Sequence, residues 1–507
     1  MRRTRVSHLV VVIVTAGAAT ACGDNEDGGP GGLPDGPGRY DSPSDFDRRE
    51  AGCVPGALAG VEPDGIFHFQ ATYSDGYTGS GSSRLDEVGR WEYAGALAGG
   101  DASRAWLDDH SLFLYRDLGD DRSRSLLLCN QANGELLGAY AYCTPDECFL
   151  AQATARRVER LDEPDAGGLT LLAEHLGAGW ADAPTVNVRV TDDLAYLARY
   201  GDGLRIVDVS DPLAPVDVGH GPCEYAADGE IYNDVKLVEA AGRRYAIMGS
   251  NLVGAVVWDV SAPWAPTIVA HFGTPGFMAN PNVHTLFIDG GKAYLANTRV
   301  GLEIWDIADP REPRLRSTFF PREIPDSAFL HDLYVEGERA YLNFWNGGMV
   351  IADVSDPAAP RAVGTFVGYG DDTSSHSSWV TSVGARRIAA HGDEEWGSHL
   401  RLVDVTEGSG SFLRQVGAWQ TRPEVSAHNV MSAGAEVFVA YYQDGVRVID
   451  ITDPAAPRQT AWFNTWPGYD RRYGTSFFEG AIGIDVDPGR GRIYVADSHR
   501  GLLILQR

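Results

Sequence analysis

From about residue 165 to its end the chain is written in short apolar runs separated by turn residues, with no helical 3.6-residue periodicity. The clearest unit is 340–360. Ala340 to Phe344 is one apolar run, and Asn346-Gly347-Gly348 supplies the positive φ angles of a tight turn. Met349 to Val354 is a second run. Ser355-Asp356-Pro357 then turns the chain, because proline fixes its own φ and aspartate caps nearby amides. The same unit recurs at 195–212, 293–310 and 437–454.

The aspartate of the second run sets a register: Asp208, Asp259, Asp306, Asp353, Asp404 and Asp450, separated by 51, 47, 47, 51 and 46 residues. In the fifth copy Val405-Thr-Glu-Gly408 replaces the Asp-Pro corner, and a seventh copy ends at the C-terminus with Gln506 in the aspartate position. A period near 50 residues made only of strands and turns is the mark of a β-propeller blade. Each copy has room for four strands; in the fourth they fall near 331–335, 340–344, 349–354 and 361–366. The last copy lacks its fourth strand. The apolar segment 169–176 has no partners of its own, and pairing it with 502–505 removes two open sheet edges. The expectation is an all-β chain with a seven-bladed propeller over 166–507, closed three strands to one, after a small disulfide-bearing β domain at 60–163.

That first β domain rests on strand-length runs at 65–73, 111–115, 125–129, 136–142 and 148–158, with hairpin turns at Asp75-Gly76 and Asn133-Gly134. Cys143 and Cys148 flank a turn and can staple a hairpin; Cys53 with Cys129 is the next pairing, and Cys223 is left over. No Cys/His spacing suits structural zinc. His68 and His110 are isolated and read as structural or surface residues.

Residues 1–21 read as a targeting segment: Arg2, Arg3 and Arg5 precede an apolar stretch that ends at Ala19-Thr-Ala-Cys22. That ending resembles a bacterial lipobox, which implies cleavage before Cys22 and acylation of its thiol. Residues 22–59 begin with a Gly, Pro and Asp run that reads as a flexible tether. These features place the protein in a bacterial cell envelope, lipid-anchored and outside the cytoplasm. The formal charge of −28 argues against nucleic acid and anionic membrane surfaces as partners.

One position in each copy carries candidate chemistry. Nine residues before the Ala-Tyr pair stand Val186, His284 and His331, and the equivalent positions hold Ser378 in the fifth copy, with His376 two residues earlier, His428 in the sixth and Ile482 in the seventh. In the second copy Asn233-Asp234 takes the place of His331-Asp332. First strands line a propeller's channel, so His284, His331, His428 and Asn233 are expected near its entrance, where they can bind one metal ion or an anion. The competing expectation is that a polar residue at a strand start only satisfies a neighbouring backbone.

The run at 204–212 looks like the LVIVD-repeat family of exported β-propellers. That resemblance covers about 186–507 and implies fold without a common activity. His331-Asp-Leu, followed by 340–345 and 353–357, is similar to a blade of the selenium-binding protein and methanethiol oxidase propellers. That likeness implies copper held by channel histidines, here His331 and by register His284 and His428. The chain departs from that family in its acidity, its anchor, its extra domain and its lack of a reactive cysteine motif.

No complete catalytic set is legible, so the leading expectation is a non-catalytic binding or scaffolding protein. Its site is expected on the rim that combines the inter-blade loops with the loops between second and third strands. Trp345, Tyr441, Arg299 and Asn233 are its candidate contacts with a protein or small ligand. The alternative is a copper-type, oxidase-like enzyme built on the channel histidines.

Overall fold

The computed structural model describes residues 40–46, 52–62, 65–74, 76, 78–85, 91–95, 104–180, 183–276, 280–367, 374–470 and 478–507. Cys22 and the targeting and tether segments before residue 40 lie outside the described residues, as does Asp75. The helical elements are the 3-10 turns Pro43–Asp45 and Ala226–Asp228, and among the other described residues Phe478 alone has 3-10 backbone. No described helix is long and apolar enough to cross a membrane. The chain divides into two compact units, one comprising 1–159 and 468–477 and the other 160–467 and 478–507.

The first unit is built on one eight-stranded antiparallel sheet. Its order runs Trp91–Gly95, Thr78–Leu85, Gly65–Tyr73, Cys148–Arg157, Glu135–Cys143, Arg122–Ala132, Leu112–Gly119, Arg104–Leu107. Alternation along Leu126-Leu127-Leu128 sends Leu126 and Leu128 to a core with Phe67, Phe69 and Leu112, and Leu127 to the opposite face with Phe113 and Phe46. Disulfides join Cys53 to Cys129 and Cys143 to Cys148, and Cys223 is free and buried. Asn133 and Gly134 both have positive φ, 54° and 79°, as their hairpin turn requires.

The second unit is a seven-bladed β-propeller, one sheet of at least four strands per copy. Blade 4 is representative: Leu330–Glu336, Arg339–Phe344, Gly348–Asp353 and Arg361–Phe366, from the axis outward. Each innermost strand touches the next, and Ala481–Asp487 of blade 7 touches Thr185–Thr191 of blade 1. The outer strand of blade 7 comes from upstream, because Thr170–His175 pairs antiparallel with Gly501–Gln506. Just before it, Ala166–Gly167 adds a fifth strand to blade 6 against Arg458–Phe463. Glu163 meets Arg447 at 2.7 Å and the Trp462 indole donates to the Pro164 carbonyl at 2.8 Å, so the segment from 160 onward is part of the propeller.

Apolar runs fill the layers between blades. Ile304 and Leu302 of blade 3 pack with Leu333, Leu342 and Val350 of blade 4, all buried. Fully burying one such side chain contributes about 1.5–3 kcal/mol. Both aspartates of the repeated corner act as caps. Asp353 accepts the Ser355 N–H at 3.0 Å, and Asp356 accepts the Ala358 N–H at 2.9 Å. Blade 5 has lost the Asp-Pro corner but keeps Asp404, which accepts the Thr406 N–H at 2.9 Å and the Ser411 hydroxyl at 2.5 Å.

Candidate functional site at the head of the channel

The innermost strand of each blade begins with an irregularity of pairing. In blade 4, Leu330 faces Phe344 and Asp332 faces Asn343, so His331 is the extra residue of a bulge. The same shift makes Val186, Asn233, His284, His376 and Ile482 the extra residues of blades 1, 2, 3, 5 and 7. In blade 6, Ala440 accepts the His428 N–H at 2.9 Å and donates its own N–H to the Asn429 carbonyl, which puts His428 in the same place.

The fifth copy therefore corrects the sequence register: its equivalent residue is His376, not Ser378. The first two strands of blade 5 have 9 and 8 residues, against 7 and 6 in blade 4, so a fixed count back from the turn stops short. The Ser378 hydroxyl instead lies 2.7 Å from Asn343 Oδ1 and 3.0 Å from His391 Nδ1, inside the blades.

Four imidazoles from consecutive blades thus stand in a row. Ring centroids are 4.1 Å apart for His284 and His331, 4.4 Å for His331 and His376, and 4.3 Å for His376 and His428. The loops between second and third strands close on this row. Trp345 stacks on Phe329 and lies 5.0 Å from the His331 ring, and Tyr442 lies 4.8 Å from the His428 ring. Glu394 from blade 5 points at the middle of the row: Oε2 is 3.4 Å from His376 Nε2, and Oε1 is 3.8 Å from His428 Nε2. The Tyr442 phenol donates to Glu394 Oε1. Tyr442 has a left-handed backbone, φ 35°, held by paired hydrogen bonds to Ala481.

The outer histidines are anchored. His284 Nδ1 lies 3.1 Å from Asn233 Nδ2, and His428 Nδ1 donates to the Ile482 carbonyl at 2.8 Å. In the inner pair His331 keeps one hydrogen bond, to the backbone of His376, while the His376 ring has none. Both nitrogens of His376, Nδ1 of His331 and Oε2 of Glu394 are buried without a hydrogen-bond partner. Ligand atoms of His331, His376 and Glu394 all lie within 4.8 Å of one another. His284 and His428, expected as ligands, flank this set and are not members of it.

Burial governs the protonation of the cluster. It pulls His284 down to about 4 and His428 to about 3. His331 and His376 fall well below the usual histidine range, through burial and then through their neighbouring imidazoles. Burial pushes Glu394 up to about 8, against the pull of the Tyr442 phenol. At neutral pH the row is neutral, which is the form that binds metals.

The other candidate contacts lie elsewhere than on an open rim. Trp345 and Tyr441 are buried, 3% and 0% exposed, because the long loops pack over them. Asn233 is buried on His284, and Arg299 is half-buried after Asn297, whose side chain caps its N–H at 2.9 Å. His376 and Glu394 were missed as ligands. Counting the bulge from the loop before each inner strand would have found His376; Glu394 sits in the least regular copy, and no pattern marks it.

The LVIVD repeat pattern matches residues 184–220, 330–367 and 426–465. The chain carries LVIVD repeats. The matched segments are blades 1, 4 and 6, and the last two supply His331 and His428. No curated protein matches the sequence. Among solved structures, the WD40 β-propeller domain of Doa1 is similar, with a TM-score of 0.46 and 15% identity over 67% of this chain and 97% of that one. The computationally designed Ika8 protein is similar with a TM-score of 0.42 and 6% identity, over 80% of this chain and 95% of that one.

Proposed function

We propose that this propeller is a binding protein whose ligand is a divalent transition-metal ion, held by His331, His376 and Glu394 at the head of the channel. The observation that carries the reading is a buried set of three donor side chains with mutually close ligand atoms and four polar atoms that have no hydrogen-bond partner. Buried polar atoms are nearly always satisfied, so such a group marks a place built for something else. Two imidazoles and one carboxylate suit non-haem iron(II), and the same donors serve zinc. Trp345 and Phe329 wall the site with apolar surface, and Tyr442 orients the carboxylate, as outer partners of metal ligands do. The donor set differs from the all-histidine copper site that the channel-histidine likeness implies.

We also propose that the protein works outside the cytoplasm, lipid-anchored through Cys22. The basic-apolar-Ala-Cys order of the N-terminus supports this, as do two disulfides, which suit an oxidising compartment. Elemental analysis tests the metal reading. Protein purified without chelators is expected to retain close to one equivalent of iron or zinc, and His376→Ala to retain none. Wild-type protein that neither retains nor takes up a transition metal at micromolar concentration overturns it.

A further inference from the structure

The blades are copies of one unit, and blades 1 and 2 depart from the others at the corner end, away from the channel head. The third residue of the Asp-Pro corner is Arg311, Ala358 and Ala455 in blades 3, 4 and 6, but Leu213 and Trp264 in blades 1 and 2. The first residue of the outer strand, opposite the register aspartate, is Arg314, Arg361, Arg414 and Arg458 in blades 3 to 6. It is Val216 in blade 1 and Thr267 in blade 2. Leu213, Val216 and Trp264 are 66%, 59% and 72% exposed, the highest values of any large apolar residue among those described. The three gather at one place. Pairing with Asp208 and Ile206 puts Val216 and Gly219 on the same face of blade 1. A side chain at Gly219 would strike the Pro263 carbonyl, so that face rests on the corner that carries Trp264. Leu213 lies in the turn that leads into Val216.

Beside them runs the outer strand of blade 2, Thr267–Phe272, whose outward edge pairs with no strand among the described residues. Open edges are usually blunted by charge or by cover. Blades 3 to 5 begin their outer strands with arginine, and the outer strand of blade 6 is covered by Ala166–Gly167. The blade 2 strand, Thr-Ile-Val-Ala-His-Phe, has no Lys, Arg, Asp or Glu, and His271 lies 3.1 Å from Glu224. Its corner is also stripped of charge: Ala262 stands where the Asp-Pro corners have Asp211, Asp309, Asp356 and Asp453, and Asp259 is paired with Arg243. The open edge says what covers this surface. Its unpaired N–H and C=O groups find no partner in hydrocarbon, so a lipid surface does not suit it and another strand does. A chain with a formal charge of −28 repels its own copies, and a stretch without charge is where two of them meet at least cost. Antiparallel pairing of this strand with itself about a twofold axis sets no like charges opposite one another and leaves neither edge open.

We propose that the outer edge of blade 2, with Leu213, Val216 and Trp264 beside it, is the contact surface of a twofold dimer of this chain. Sedimentation velocity of the purified full chain at micromolar concentrations tests it. A monomer–dimer equilibrium is expected, and it should strengthen on going from low salt to about 0.5 M sodium chloride, because salt screens the repulsion between copies and leaves apolar contact intact. Two variants, Trp264→Ala and the pair Val216→Arg with Thr267→Arg, install residues that other blades carry at the same positions, so the urea midpoint should not change. Each is expected to raise the dissociation constant about tenfold or more, as loss of an anchoring side chain does. Hydrogen exchange decides on wild type alone: amides within 267–272 should exchange more slowly in concentrated than in dilute protein. A wild-type chain that stays monomeric in high salt overturns the proposal. So does an assembly that both variants leave intact, which belongs to another surface or to an acyl anchor. So does an assembly that gives 267–272 no added protection.

Discussion

Two positions recur in the blades of this propeller, and they treat charge in opposite ways. At the outer corners stand Asp208, Asp259, Asp306, Asp353, Asp404 and Asp450. Each accepts the N–H of the residue two places on, at 2.8–3.0 Å. Hydrogen bonds hold Asp208, Asp306, Asp353 and Asp450 below the usual carboxylate range. At Asp259 and Asp404 burial pushes the other way, and hydrogen bonds from Ser261, Ser411 and Thr406 outweigh it. At the channel head the bulge is repeated but its side chain is not: Val186, Asn233, His284, His331, His376, His428 and Ile482. There burial keeps imidazoles neutral and pushes Glu394 up to about 8. The corner repeats one residue because it has one backbone task. The bulge repeats only a backbone shape, which leaves its side chains free to differ and to carry chemistry.

The sharpest way to break this comparison is to exchange effects between the two positions. His376→Leu removes two buried nitrogens that have no partner and keeps the volume nearly constant. It is expected to lower metal affinity by about 100-fold or more, since even outer partners of ligands are worth 10–100-fold. The metal-free fold should be as stable as wild type or more so, because an unmet polar group has been replaced by an apolar one. Asp353→Ala should do the reverse. It deletes bonds to the Ser355 N–H and hydroxyl, at 3.0 and 2.6 Å, far from the channel. The loss is expected at about 1.5–3 kcal/mol by urea titration, from hydrogen bonds to a charged group, with metal affinity unchanged. A corner variant that loses metal, or a head variant that unfolds, dissolves the distinction.

The two positions were unequally legible in the sequence. The corners announce themselves because one residue type recurs beside proline, and the strand boundaries around 340–366 follow to within a residue or two. The bulge was visible as a column of His and Asn, but its register was counted from the wrong end. Two extra residues on each strand of the first hairpin in blade 5 hid His376 behind Ser378. Glu394 was legible only as a residue of a loop between second and third strands on the rim, because its approach to the histidines depends on how that loop crosses to the axis in three dimensions. The aromatic residues Trp345 and Tyr441 were read as surface anchors for want of any local sign that long loops bury them. Strands Thr78–Leu85, Trp91–Gly95 and Arg104–Leu107 of the first unit were not foreseen; 79–83 is only Gly and Ser, with no apolar residue to mark a strand.

Proton linkage gives a gentler test on the metal-free protein. Five buried histidines, His284, His331, His376, His391 and His428, are held below the unfolded value of about 6.5. The unfolded chain therefore binds more protons below pH 6.5, so their contribution is complete above 6.5 and is lost as pH falls. They outweigh the opposite slope of Asp332, which burial pushes up to about 6. Glu394 has the other sign. Its folded form keeps a proton that the unfolded form gives up near 4.5, so stability is lost as pH rises towards about 8. Urea midpoints are expected to peak near pH 6.5, and Glu394→Gln should remove the decline between 6.5 and 8. A wild-type profile that keeps rising through that window counts against a protonated Glu394.

The smallest effect concerns Tyr442, the residue that joins the two electrostatic regimes. Its phenol donates to Glu394 Oε1, a hydrogen bond that stabilises the carboxylate much as Ser355 stabilises Asp353, but inside the head. Tyr442→Phe keeps the ring beside His428 and the backbone pairing with Ala481, and removes one donor. If Glu394 binds metal as a carboxylate, that donor orients it and favours its charged form. Its loss is expected to weaken metal affinity by about tenfold, ~1.4 kcal/mol, the low end for an outer partner of a ligand. The deficit should narrow as pH rises well past 8, since without the pull of the phenol Glu394 gives up its proton only at a pH above its value in the wild type. Competition against a metal chelator at pH 7 and pH 9 reads both quantities. An equal deficit at the two pH values assigns Tyr442 to orientation alone, and no deficit at either removes it from the site.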